Sequence, residues 1–242
     1  MIYFASDFHL GMPDYRKSRE REQKIIKWLE SIENNATDIF LLGDIFEFWF
    51  EWKYVVPKYF IRFLGKLAQL SDKGIKIHYF AGNHDLWLKD YFHKELNFNV
   101  YLKPTILTLR NKRFFIAHGD GLSPKEKNYR LVKKYIFLNP IINWIFGRIL
   151  HPDTAFKIAM KFSDSSCAKT PKFDPEKEPL VNYAANYAQR HNIDYFVIGH
   201  IHVAQKIKLN PKATMLILGD WLKLFTYAMF DGENIYLKTF NI

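Results

Sequence analysis

The sequence predicts an α/β fold, a four-layer α-β-β-α sandwich in which two β-sheets lie between helices. Three observations predict it. Short β-branched and aromatic runs alternate with helical patterns in the first part of the chain, as crossover-linked strands require. After His202 the texture changes to brief runs broken by turn dipeptides. Between these parts, residues 123–177 form a stretch too long for a simple connection.

Taken in order, Ile2 to Ala5, Ile39 to Leu42, Ile75 to Ala81, Phe114 to Ala117 and Tyr195 to Ile198 read as strands, each followed at once by a polar cluster. Helical patterns fill Arg19 to Asn34 and Lys58 to Asp72, the second closed by Gly74, and a further helix spans Pro179 to Asn192. Strand, helix, strand implies right-handed crossovers. Beyond His202, Ala204 to Leu209, Thr214 to Leu218, Tyr227 to Phe230 and Ile235 to Phe240 are separated by Asn210-Pro211 and Asp231-Gly232 and read as antiparallel hairpins. With no repeat and no low-complexity linker, residues 1–242 form one domain, with 123–177 inserted in it.

Composition narrows the function classes. At 242 residues, 48% hydrophobic and 17% aromatic, the chain can bury a full core and is not disordered. Its formal charge of +10 calls for an acidic partner: nucleic acid, anionic lipid or a phosphorylated metabolite. Residues 123–177 carry eleven Lys or Arg against five Asp or Glu, so +6 of that charge sits in the insertion. One cysteine, Cys167, excludes an intrachain disulfide and a cysteine-rich metal site. The start, Met1-Ile2-Tyr3-Phe4, lacks the layout of a secretory signal, and a reducing cytoplasm is expected. The most apolar window, Ile136 to Leu150, is interrupted by Asn139, Pro140, Asn143 and Arg148 and is shorter than the roughly 20 residues of a membrane span.

In an open α/β sheet, functional groups gather beyond the carboxyl ends of the strands, and the polar clusters fall there. The first strand ends in Ser6-Asp7-Phe8-His9, and an extended period of two puts Asp7 and His9 on one side. The others end in Gly43-Asp44-Ile45-Phe46-Glu47, Gly82-Asn83-His84-Asp85, His118-Gly119-Asp120 and Gly199-His200-Ile201-His202. Singly, Asp7 reads equally as a turn former, Asp44 as a helix cap and each histidine as a satisfied polar residue. Together they make a metal site. Imidazole and oxygen donors without thiolate suit Mn, Fe, Zn, Ni or Co, and so many ligands suit two divalent ions about 3.5–4 Å apart, which activate water and clamp phosphate oxygens.

On these motifs the sequence resembles the calcineurin-like metallophosphoesterase superfamily. The resemblance implies that Asp7, His9, Asp44 and His202 hold one metal and that Asp44, Asn83, His118 and His200 hold the second, with Asp44 bridging. It makes His84 a catalytic group that contacts phosphate, and places Glu47 where the superfamily usually has an Asp orienting that histidine.

Within the superfamily, Ser6-Asp7-Phe8-His9-Leu10-Gly11, Gly43 to Trp49, His118-Gly119-Asp120 with Tyr129, the insertion and Leu218-Gly219-Asp220-Trp221 are similar to the UDP-2,3-diacylglucosamine pyrophosphohydrolases of lipid A synthesis. That resemblance implies a helical cap with an apolar interior for acyl chains, release of UMP and 2,3-diacylglucosamine 1-phosphate, two manganese ions, and peripheral residence on the inner face of the cytoplasmic membrane, drawn by anionic lipid. By position, Tyr129, Lys161, Ser163 and Lys169 are head-group contacts. One departure is that members of this family typically have Arg where this chain has His84, which alters how phosphate is held. Read from its residues alone, the insertion is equally a helical hairpin with a solvated lysine face. A nuclease or other phosphodiesterase, for which +10 would be the nucleic-acid footprint, is the first rival; a non-enzymatic scaffold is the second, opposed by the complete ligand set.

Overall fold

The computed structural model describes residues 1–164 and 173–241, the side chains of 161–164 excepted. The chain enters through β1 (Ile2–Ala5), crosses by α1 (Tyr15–Ile32) to β2 (Asp38–Leu42) and by α2 (Ile61–Asp72) to β3 (Lys76–Phe80). These three strands run parallel, β1 beside β2 beside β3. After a single turn, α3 (Tyr91–Lys94), β4 (Asn99–Tyr101) extends the β3 edge.

The hairpin of β5 (Thr105–Leu109) and β6 (Lys112–Ala117) opens the second sheet. A helical segment follows: a 3-10 turn at Pro124–Glu126, α4 (Lys127–Val132), a π turn at Lys133–Phe137, α5 (Pro140–Ile149) and α6 (Pro152–Asp164). Then come α7 (Pro179–Arg190), β7 (Tyr195–Ile198), β8 (Ala204–Lys208), β9 (Thr214–Leu218), β10 (Thr226–Phe230) and β11 (Ile235–Thr239). The sheet orders are β11-β10-β1-β2-β3-β4 and β5-β6-β7-β9-β8.

Alternation along the strands builds the layers. On β1, Ile2 and Phe4 face the space between the sheets, while Tyr3 and Ala5 face α1 and α2. Both faces are buried, so the strand is apolar throughout. Between the sheets Phe4 stacks on Phe40 and, across the gap, on Phe114 at 5.7 Å. Outside the first sheet Trp28, Leu29, Phe63 and Leu67 of α1 and α2 cover it; outside the second, Leu180, Val181 and Ala184 of α7 pack on Phe115, Phe196 and Ile217. The fold is therefore the predicted sandwich.

One pairing needs correction. Thr214 to Leu218 is antiparallel only to β8 and runs parallel to β7. The last hairpin, antiparallel as expected, joins the first sheet, with β10 antiparallel to β1, because its apolar residues Ala228 and Phe230 belong to the core between the sheets. β4 and β5 were not anticipated: β4 is short, and the β5–β6 turn is Arg110-Asn111, both left-handed, rather than the Asn-Gly that announces such a turn. Helix starts also differ. α1 begins at Tyr15 because Asp14 caps Lys17 N at 2.9 Å. α2 begins at Ile61 because Phe60 is left-handed at φ 67°.

Candidate metal centre

The strand ends turn sharply, and the turning residues are the expected ligands. Asp7, His9, Asp44, His200 and His202 all have left-handed backbones, with φ between 45° and 71°. Such a conformation costs an L-residue about 1–3 kcal/mol and persists where the surroundings over-determine it. Here backbone bonds do so: Asp7 N to Gly43 O at 3.1 Å, His9 N to Asp44 O at 2.9 Å and Trp221 N to Asp7 O at 3.0 Å. Asp7 and His9 do converge, but through two left-handed turns rather than an extended period.

Glycine is required where backbone meets carboxylate. A Cβ on Gly82 would collide with Asp44 Oδ1, and one on Gly199 would lie 2.6 Å from Asp7 Oδ2.

Two clusters result. In the first, Asp7 Oδ1 is 3.3 Å from His202 Nε2 and 3.9 Å from His9 Nε2. In the second, Asp44 Oδ2 is 3.3 Å from His118 Nε2, with His200 beside it and Asn83 Oδ1 3.1 Å from His118 Nε2. Asp44 Oδ2 is also 3.8 Å from His9 Nε2, so this carboxylate stands between the clusters. Within each trio the donor atoms lie within 4.8 Å of one another, which suits a central ion at bonds of about 2.0–2.2 Å. Outward nitrogens are engaged elsewhere, His118 Nδ1 with Leu42 O at 2.8 Å and His9 Nδ1 with Glu47 Oε2 at 2.6 Å. That leaves Nε2 facing the centre, the usual arrangement of a metal-binding imidazole. The donor set fits a pair of divalent ions.

The sequence profile of a family described as calcineurin-like phosphoesterases matches residues 1–204. The chain belongs to this family. Among its relatives, the UDP-2,3-diacylglucosamine hydrolase of Porphyromonas gingivalis is 37% identical, covering 98% of this chain and 97% of its own. The UDP-2,3-diacylglucosamine hydrolase of Pseudomonas putida is 27% identical over 99% of each. As a calcineurin-like phosphoesterase, the protein is a metal-dependent hydrolase.

Around these candidate ligands the charges act strongly on one another. Burial works against ionising Asp44, yet His118, His84 and His9 hold it well below the usual carboxylate range. Asp7 is lowered likewise against its burial, chiefly by His202 and His118. His200, half-buried and facing His118, is pushed below the ordinary imidazole value by desolvation and by His118. His84 is pushed up to about 10, because Asp44 and Glu47 outweigh its burial, and Glu47 is drawn down to about 2 by His84 and His9 despite its own. Glu47 reaches both rings: Oε1 is 3.2 Å from His84 Nδ1, which also lies 3.3 Å from the Glu47 carbonyl, while Oε2 holds His9.

Two residues that the sequence reading passed over support the centre. Asp85, fully buried, accepts from Ile45 N at 2.9 Å, Gly82 N at 2.7 Å and Tyr79 OH at 2.6 Å, clasping the β2 and β3 ends together. Its place beside Asn83-His84 was the available signal. Arg21 donates to the carbonyls of His9 and Met12; nothing in the charged run around it distinguishes it.

Of the expected head-group contacts, Tyr129 donates to Asp120 at 2.7 Å, and Lys133 joins the same carboxylate oxygen at 2.5 Å. Burial and Asp120 push the Tyr129 phenol up. Lys169 and the side chains of Lys161 and Ser163 lie outside the described residues. A further contact comes from Glu126, whose Oε1 is 3.9 Å from His200 Nε2.

Proposed function

We propose that the protein hydrolyses the pyrophosphate of UDP-2,3-diacylglucosamine to UMP and 2,3-diacylglucosamine 1-phosphate in lipid A synthesis. The observation that carries this reading is the aromatic seam by which the segment α4–α6 leans on the loops of the metal centre. Phe137 lies 5.9 Å from Trp87, Phe146 lies 5.0 Å from Phe50, and Phe156 lies 5.7 Å from Phe48. An apolar wall next to a phosphate-hydrolysing centre suits acyl chains better than nucleic acid. Relatives aligned almost end to end and named for this hydrolysis support it.

In this reading residues 123–177 are a cap within a single domain of residues 1–242. Asp7, His9, Asp44 and His202 hold one ion, and Asp44, Asn83, His118 and His200 the other. Two bound divalent ions, which we take to be manganese, supply Lewis acidity and an activated water. His84, fixed at Nδ1 by Glu47, has Nε2 4.0 Å from Asp44 Oδ2. Protonated, it donates to a phosphate oxygen and then returns its proton to the leaving oxygen, which the arginine typical of this position cannot do. Tyr129, Lys161, Ser163 and Lys169 serve the head group.

Among the described residues no helix is long and apolar enough to cross a membrane. Ile141, Trp144 and Ile149 of α5 are nevertheless 68%, 61% and 74% exposed, close in sequence to Lys134 and Arg148. In this reading the protein acts in the cytoplasm, held peripherally on the inner face of the membrane, and this apolar and basic surface supports that location. The test is a metal-dependent assay of UDP-diacylglucosamine against single-stranded and cyclic nucleotides, with Asp44→Ala as blank. Cleavage of the nucleotides but not of the lipid would overturn the assignment.

A further inference from the structure

A cavity of about 250 Å³ opens where the first turns of α1 and α2 meet α6. None of its lining residues is a candidate metal ligand, and Gly11 is its link to the centre. One wall is Gly11, where a Cβ would touch the Cβ of Glu47 at 3.5 Å, and Glu47 in turn holds His9. Phe156 of α6 spans the two regions, lying 5.7 Å from Phe48 beside the centre and 6.0 Å from Tyr59 in the cavity.

The lining differs from the apolar seam on the Trp87 side. Tyr15 and Tyr59 lie against each other, centroids 6.0 Å apart and planes tilted by 54°, and Tyr15 is 68% exposed, so its ring is open to a planar group. Arg19, Lys58 and Arg62 supply positive charge, and the one carboxylate, Glu22, is already engaged by Arg19 and by Phe63 N at 3.0 Å. With Arg19 and Glu22 paired, Lys58 and Arg62 leave the lining net positive. The volume lies below the roughly 300–1,000 Å³ of ordinary small-molecule sites, a size closer to a nucleoside than to a diacylated sugar. Aromatic rings that stack a base beside cations that attract phosphate are the recurring elements of single-nucleotide recognition.

We propose that this cavity is the nucleoside subsite of the enzyme, taking the pyrimidine and ribose of the nucleotide half of the substrate while the phosphates point past Gly11 toward the metal ligands. The identity of the base rests on the function proposed above; the stacking and the charge do not.

The test is calorimetric binding of UMP and of inorganic phosphate to the full-length, metal-loaded protein, as wild type, Tyr59→Ala and the exposed Lys58→Ala. Hydrolysis of UDP-diacylglucosamine by the wild type is measured alongside. Tyr59→Ala should weaken UMP at least about fivefold, the loss of one stacking partner. Lys58→Ala should weaken it less, by an amount that shrinks as salt is raised. Phosphate affinity should hold in both variants. UMP binding that is absent in the wild type, or equal in all three proteins, overturns the subsite, as does a parallel loss of phosphate affinity, which would locate the change at the metals. If the wild type leaves UDP-diacylglucosamine intact while UMP binding still falls in Tyr59→Ala, the substrate assignment fails and the nucleoside subsite stands.

Discussion

In the proposed assignment Asp44 holds both ions, so its removal should act on two ions at once. Asp44→Ala is expected to purify with bound metal reduced below one ion per chain and without hydrolytic activity, read by elemental analysis beside the assay. His84 allows a sharper division. Its ring sits with His9 and Asp44 in a third possible trio of donors, yet in the proposed mechanism it touches phosphate and not metal. His84→Ala should therefore lower kcat by about 10²–10⁴-fold, the usual worth of a general acid, with metal content unchanged; a parallel loss of metal would make it a ligand instead. Asp85 acts only through others. Replacing it by Asn sets an NH₂ among the donors of Ile45, Gly82 and Tyr79, and should cost about 1–3 kcal/mol in denaturant unfolding.

Elements set these residues in place, and their legibility was uneven. β1, β2, β3, β6 and β7 could be read because each is a short apolar run ending in a polar cluster, and their buried faces leave little freedom of register. The fine geometry of their ends could not be read, because a left-handed Asp or His carries no sequence mark of its own; only Gly82 and Gly199 hinted at the close approach. At the opposite end of the first sheet, β2 and β3 are tied by Asp38 Oδ1 and His78 Nε2 at 3.2 Å. Burial opposes the charge on Asp38, but its bonds to His78 and Thr37 hold its pKa below the ordinary value. Because the folded-state pKa is the depressed one, the stabilisation is present above the unfolded pKa of about 3.9 and vanishes as pH falls through the folded value. Asp38→Asn should therefore be less stable than wild type near neutral pH and indistinguishable from it well below pH 3, followed by urea unfolding across the pH range.

At the scale of the whole molecule, the two sheets are joined by the layer around Phe4, which meets Phe40 and Phe114. Phe4→Ala should cost about 3–5 kcal/mol in urea unfolding. Metal should stabilise too, since ions that bind only the folded centre raise the melting temperature by mass action; a chelator is expected to lower Tm in wild type and to change Asp44→Ala little. The sequence by itself determined the alternation of strands and helices, the sandwich and the polar residues gathered at the strand ends, because burial on both faces and the demands of a polar cluster restrict residue types at particular places along the chain. It did not determine the return of β10 to the first sheet, the clasp of Asp85, the hold of Arg21 on the His9 turn or the cavity between Tyr15 and Tyr59. Those depend on contacts between segments far apart in sequence, whose partners are chosen by packing and by the need to satisfy buried polar groups, and only the tertiary structure decides them.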